Sequence, residues 1–276
     1  MADFLNAMAD SSAARLTQAR LRHDDAQILQ FAEVAALPKP LSLHRRFSVI
    51  AEIKANSPAE GALATRELDR GALATTYSKH GASAVSVLTE PERFAGDLEH
   101  LAEVASVLGD ASIPAMRKDF LVDPYQVAEA RIAGAGGVLL IVAMLEDAML
   151  ERMVAIAEHL SLFVLIECFD ADDLERAERL LDGETALKHL QAGQIMLGIN
   201  TRDLRTLEVD TERLARLAPR LPKDVPVIAE SGLKVPDDAA RVADMGYRGA
   251  LIGTALMRSN APGELLRAFV DRGRGR

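Results

Sequence analysis

The sequence predicts a single (β/α)₈ barrel of the α/β class, a TIM barrel, with a helical extension ahead of it. Three observations carry that prediction. Eight short apolar runs alternate with amphipathic stretches along the chain, and regular β-then-α alternation implies a parallel sheet, because parallel neighbours need a crossover. The length of 276 residues suits one such barrel. No linker or shift in composition divides the repeats, which favours closure over an open, doubly wound sheet.

The strands are expected at 47–53, 84–88, 113–117, 137–142, 162–167, 194–200, 225–230 and 249–252. Helices are expected between them at 68–80, 98–108, 124–133, 146–160, 171–181, 211–217 and 237–245, with a last one at 262–270. Ahead of the first strand, 2–36 carries apolar residues at helical spacing (Phe4, Leu5, Met8; Leu16, Leu21) and ends at Pro38-Lys39-Pro40, which reads as one or two extra helices. The chain thus divides into an extension, 1–46, and a barrel, 47–276, forming one structural unit. By fold logic the extension either caps one barrel end or covers a substrate. The stretch 182–191 lengthens the connection between strands five and six and reads as a continued helix through 186–190.

Composition narrows the function classes. The net charge of −9 and the pI near 5.3 argue against a nucleic-acid or anionic-membrane surface, so any phosphate ligand must be met by local cations. Single Cys168 excludes an intrachain disulfide, fits a reducing cytoplasm and offers no zinc set. No signal peptide or bilayer-spanning run is legible.

In a barrel of this kind the chemistry sits at the C-terminal ends of the strands. Strand one ends in Glu52-Ile53-Lys54, strand three runs into Arg117-Lys118-Asp119-Phe120, strand five ends in Glu167, strand six in Asn200-Thr201-Arg202-Asp203, and strand seven in Glu230-Ser231-Gly232. Alternation puts Glu52 and Lys54 on one side and Ile53 on the other. A buried ion pair seldom adds net stability over apolar residues of similar volume, so a working site explains the pair better than a structural bridge. Lysines among glutamates suit general acid–base work, whereas Schiff-base chemistry needs a neutral amine that nearby carboxylates disfavour.

Ser231-Gly232 and Gly253-Thr254 follow strands seven and eight, where barrel enzymes often cradle phosphate with backbone N–H groups; Ser57 would add a hydroxyl. Gly134-Ala135-Gly136-Gly137 precedes a strand and reads as a turn, not a dinucleotide loop. The six histidines show no paired ligand spacing, so no metal is expected, and Cys168 reads as a packed thiol.

Read in order, these strand ends resemble the indole-3-glycerol phosphate synthase family from about 47 to 257. The pieces are Ile50-Ala51-Glu52-Ile53-Lys54 with Ser57-Pro58, Ser86-Val87-Leu88-Thr89-Glu90, Arg117-Lys118-Asp119-Phe120 with Asp123-Pro124-Tyr125-Gln126, Gly198-Ile199-Asn200 with Arg202-Asp203-Leu204, Ala229-Glu230-Ser231-Gly232, and Leu251-Ile252-Gly253-Thr254. The resemblance implies that 1-(2-carboxyphenylamino)-1-deoxyribulose 5-phosphate is converted to indole-3-glycerol phosphate, carbon dioxide and water, without cofactor or metal. It makes Lys118 the general acid, Lys54 the holder of the substrate carboxylate, Glu167 an acid or base in the dehydration, and Glu52, Asn200 and Glu230 positioning groups. Ser57, Ser231, Gly232, Gly253 and Thr254 would surround the phosphate, while Phe94, Leu140 and Arg202 would line the site. It also implies that the extension covers the substrate, and it leaves room for weak association with neighbouring pathway enzymes. The chain ends after its eighth helix, so no fused second enzyme is expected.

The departures from the family pattern are Arg93-Phe94-Ala95-Gly96-Asp97 after strand two, Glu60 where a basic residue is common, Thr201 in place of a second asparagine, and the inserted 182–191. They leave open a relative acting on a modified anthranilate. Phosphoribosylanthranilate isomerase, a related phosphosugar barrel, uses a cysteine–aspartate pair that the Glu-x-Lys of strand one does not match. A non-catalytic barrel would have little reason to retain all six acid, base and amide groups.

Overall fold

The computed structural model describes residues 4–57, 61–63 and 68–275; Pro58 and Glu60 of the sequence argument lie outside them. Eight parallel strands close into a barrel: β1 (Ser48–Ile53), β2 (Ala84–Leu88), β3 (Ala115–Lys118), β4 (Gly137–Ile141), β5 (Phe163–Cys168), β6 (Ile195–Asn200), β7 (Val227–Glu230) and β8 (Gly249–Ile252). Closure is made by β1, which pairs β2 on one side, Ile50 beside Ala84, and β8 on the other, Ser48 beside Gly249. A two-stranded hairpin, Asn56–Ser57 with Gly61–Ala62, sits beyond β1.

Alternation along each strand divides the core in two. Val49, Ala51 and Ile53 face the surrounding helices, while Ile50 joins Met116, Leu139, Phe163, Leu165, Met196, Ile228 and Leu251 inside the barrel. Gly137 is required there: a Cβ would stand 2.5 Å from the Phe163 ring. Such packed layers leave the barrel a filled core whose chemistry is confined to its mouth.

The extension forms two helices, α1 (Phe4–Arg20) and α2 (Asp25–Val34). Asp24 starts α2 with a reciprocal capping box, accepting from the Gln27 N–H while the Gln27 side chain accepts from the Asp24 N–H. Leu5, Met8 and Leu16 are buried as their spacing predicts, but Leu21 falls in the turn after α1 and is 77% exposed. The inserted stretch also differs from expectation. It is a separate helix, Glu184–Gln191, because the preceding helix ends at Leu181 and the chain turns at Asp182 and Gly183 before restarting; Ala186 and His189 are its buried contacts.

Candidate active site

At the C-terminal end of the barrel a cavity of about 770 Å³ is lined by Glu52, Lys54, Ser57, Phe94, Lys118, Asn200, Arg202, Glu230, Ser231, Gly232, Gly253 and Thr254. These residues were inferred from separate strand ends, and one chamber gathers them.

On its floor, Lys54 Nζ lies 2.6 Å from Glu52 Oε1, as expected for residues two apart on β1. A Cβ at Gly253 would stand 2.3 Å from that same Glu52 oxygen, so the glycine opening the β8 loop makes room for the pair. Lys118, at the end of β3, donates to Glu167 Oε2 at 3.0 Å and Glu230 Oε2 at 3.4 Å. Burial opposes its charge, but Glu167, Glu230 and Glu52 outweigh burial and hold its pKa above the ordinary lysine value. It is therefore an ammonium at neutral pH.

Glu167 and Glu230 are both buried, and the outer oxygen Oε1 of each has no donor. Burial, then repulsion from Glu167, push Glu230 well above the usual carboxylate range; Lys118 offsets only part of this. The two carboxyls share Lys118, and the repulsion between them favours a proton on Glu230. The close approach depends on β6. A Cβ at Gly198, the neighbour of Glu167 in the parallel register, would stand 1.9 Å from Glu230 Oε1. Two glycines thus shape the mouth around carboxylates, a role that sequence reading did not assign to Gly198.

The end of the cavity beside β7 and β8 is built from turns. Ser231 and Gly232 adopt left-handed backbone, φ +63° and +78°, unusual for a serine and the kind of local strain that concentrates at functional sites. Gly232 lies against Thr201, whose hydroxyl is buried and unpartnered. Asn200 Oδ1 accepts from the Arg202 N–H at 2.9 Å, fixing the turn that brings Arg202 to the cavity. Lys234 and Arg258 add positive charge to the same lining, and neither figured among the predicted site residues.

The apolar end is walled by Phe94, Phe120, Leu139 and Ile141. Phe94 is placed by Glu90, whose carboxylate accepts from the backbone N–H groups of Glu92, Arg93 and Phe94. Gly96 then packs where a Cβ would meet the Leu88 carbonyl at 2.5 Å. Phe120 stacks on Phe94 and, edge to face, on Phe4 of α1, each at 6.1 Å between centroids.

One expectation needs correction. Leu140 does not line the site: it packs outward among the helix-facing core, while Leu139 and Ile141 face inward. The reason is strand phase, since Ile141 pairs with inward-facing Glu167. Glu167 is buried at the site and meets the cavity through its contact with Lys118. Cys168, next along β5, faces the helices, and burial raises its pKa well above that of a free thiol, so it is inert packing.

The family model for indole-3-glycerol phosphate synthase matches residues 5–269. Curated relatives of that name include one from Parafrankia sp., 44% identical over 83% of this chain and 79% of the relative, and one from Micrococcus luteus, 42% identical over 86% of each. Among solved structures, 3-hexulose-6-phosphate synthase from Salmonella typhimurium superposes with a TM-score of 0.60 at 13% identity, over 82% of this chain and 98% of that one. Thiamine phosphate pyrophosphorylase from Pyrococcus furiosus gives 0.55 at 17%, over 83% and 96%. At such identities the structural likeness is one of fold.

Proposed function

This chain belongs to the indole-3-glycerol phosphate synthase family, and from that premise we propose how the residues at its barrel mouth divide the work. The activity is a carbon–carbon lyase reaction of tryptophan biosynthesis. It closes the indole ring of 1-(2-carboxyphenylamino)-1-deoxyribulose 5-phosphate with loss of carbon dioxide and water.

The observation that carries the assignment is the placing of Lys118 Nζ between two buried glutamates on the cavity side. As the aromatic carbon attacks, the substrate carbonyl oxygen becomes an alcohol and needs a proton, which the Lys118 ammonium gives. Such general acid catalysis is worth about 10²–10⁴-fold. Glu230, protonated beside Glu167, returns a proton to the amine. Lys54, steadied by Glu52, anchors the substrate carboxylate until it leaves as carbon dioxide and aromaticity is restored. In the dehydration the re-protonated Lys118 gives its proton to the hydroxyl, which departs as water, and the Glu167–Glu230 pair and the now neutral Lys118 take up the proton lost from the ring carbon. The one proton spent on the carbonyl oxygen is replaced from solvent when product leaves.

Ser57, Ser231, Gly232, Gly253 and Thr254 hold the phosphate with Arg202 nearby, while Phe94 and Phe120 clasp the anthranilate ring. Asn200 holds Arg202 and a substrate hydroxyl. Residues 1–46 cover the mouth of the barrel formed by 47–276, a reading supported by the contact of Phe4 with Phe120 and by Leu5 and Met8 packing into the inner cluster. The setting is the cytoplasm, to which the free thiol of Cys168 is suited, with weak docking to neighbouring pathway enzymes. No cofactor enters the scheme.

Purified protein supplied with the carboxyphenylamino-deoxyribulose phosphate is expected to generate indole fluorescence and carbon dioxide without added metal. Absence of turnover across neutral pH would sink the reading.

A further inference from the structure

Asp119 immediately follows Lys118, is buried, and has both oxygens filled by donors. Arg15 of α1 reaches it with two guanidinium N–H groups, at 2.8 and 3.0 Å. Arg117 donates at 3.1 Å, the Thr89 hydroxyl at 2.7 Å and the Phe120 N–H at 2.8 Å. Burial would raise this carboxyl, but Arg117 and Arg15 outweigh it and hold Asp119 well below the usual carboxylate range. Its neighbours are tied in as well. Arg117 also reaches Glu129 at 3.3 Å and the Gln126 carbonyl at 2.8 Å, and Gln126 donates to Ser12 of α1 at 2.9 Å. Thus one face of α1 grips the segment that carries Lys118 on one side of Asp119 and Phe120 on the other.

We propose that Arg15 is a positioning residue for the ring closure, setting Lys118 and Phe120 through its two-pronged bond to Asp119, so that the extension helps assemble the catalytic centre as well as covering it. A planar fork held by both carboxylate oxygens fixes orientation as well as distance. Both oxygens of cavity-lining Asp119 already accept from these donors, which leaves the carboxylate little room to wander, and the lysine one residue away inherits that rigidity. This inference rests on the synthase reading and on Lys118 as the acid.

The test uses the full chain and reads kcat, KM and melting temperature together. Arg15→Met is expected to lower kcat by about 10- to 10²-fold, the scale of an ångström-sized misplacement, while KM shifts by less than threefold. Arg15→Lys, which keeps the charge but loses the fork, should recover part of kcat. Arg20→Met is the structural control: Arg20 clamps Asp25 and Asp123 at the exposed end of α1, so this variant should melt lower with kcat intact. Arg15 variants with wild-type kcat, or with KM raised and kcat unchanged, would overturn the proposal and leave α1 as a cover only. If Arg15→Met does not fold, Arg15→Lys alone decides on the same two readings. Should the wild type lack turnover, the synthase reading itself fails; a working wild type with a dead Lys118→Ala and a normal Arg15→Lys sinks this inference alone.

Discussion

Asp119 and Glu230 are both buried carboxyls at one cavity, and the protein treats them in opposite ways. Asp119 has a donor for every lone pair it needs and two guanidinium groups beside it, so it is a settled anion. Glu230 has one oxygen on Lys118 and the other without a donor, and burial together with the neighbouring Glu167 raises its pKa well above the usual carboxylate range. Leaving a buried acceptor unsatisfied costs stability, and a fold that satisfies Asp119 so fully could have done the same for Glu230. In the proposed mechanism the difference has a use: the satisfied carboxylate organises, and the unsatisfied one supplies a proton.

The sharpest way to probe the comparison is to remove the cation that Glu167 and Glu230 share. Lys118→Ala should reduce turnover by about 10²–10⁴-fold, the value of a positioned general acid, while binding of a non-reacting substrate analogue stays measurable. Near-normal turnover with indole fluorescence as the readout would transfer the acid role to Lys54 and make the Lys118 cluster structural, like that of Asp119.

Glu230→Gln comes next, with a smaller loss of about 10-fold or more in kcat, because the amide keeps the shape without supplying the acidic proton. Its stability effect carries the sign of the comparison. A carboxyl whose folded pKa is raised favours the folded state at low pH and withdraws that support as pH climbs above the unfolded value near about 4.3. Asp119, whose folded pKa is depressed, does the reverse: its support is present above about 3.9 and lost as pH falls further. Thermal melts from pH 4 upward should therefore show Glu230→Gln gaining relative to the wild type with rising pH. If the two melting curves run parallel instead, Glu230 does not hold its proton as argued.

Much of this was legible in the chain. Glu52, Lys54, Lys118, Glu167 and Glu230 stand out because each closes a run that is otherwise apolar, and the barrel explains where such ends converge. The Arg15–Asp119 bond was not legible, since 104 residues separate its partners and nothing local distinguishes Arg15 from any polar helix residue. Gly198 was equally hidden: its role is the absence of a side chain beside a carboxylate from the next strand. The phase of β4 escaped for a third reason. Gly137-Val138-Leu139-Leu140-Ile141 is apolar throughout and buried on both faces, so alternation leaves no mark in the sequence.

That last ambiguity gives the prediction with the smallest effect on turnover. Leu139→Ala removes part of the cavity wall at the proposed anthranilate site, so KM should rise several-fold, in line with the roughly 1–3 kcal/mol that a few methylenes contribute in an apolar pocket. Leu140→Ala, one residue along but facing the helices, should leave KM and kcat within about twofold while opening a void worth about 2–5 kcal/mol of stability. Steady-state kinetics and denaturant melts on the two variants separate the faces. A larger KM change in Leu140→Ala than in Leu139→Ala would reverse the assigned phase of β4 and return Leu140 to the site.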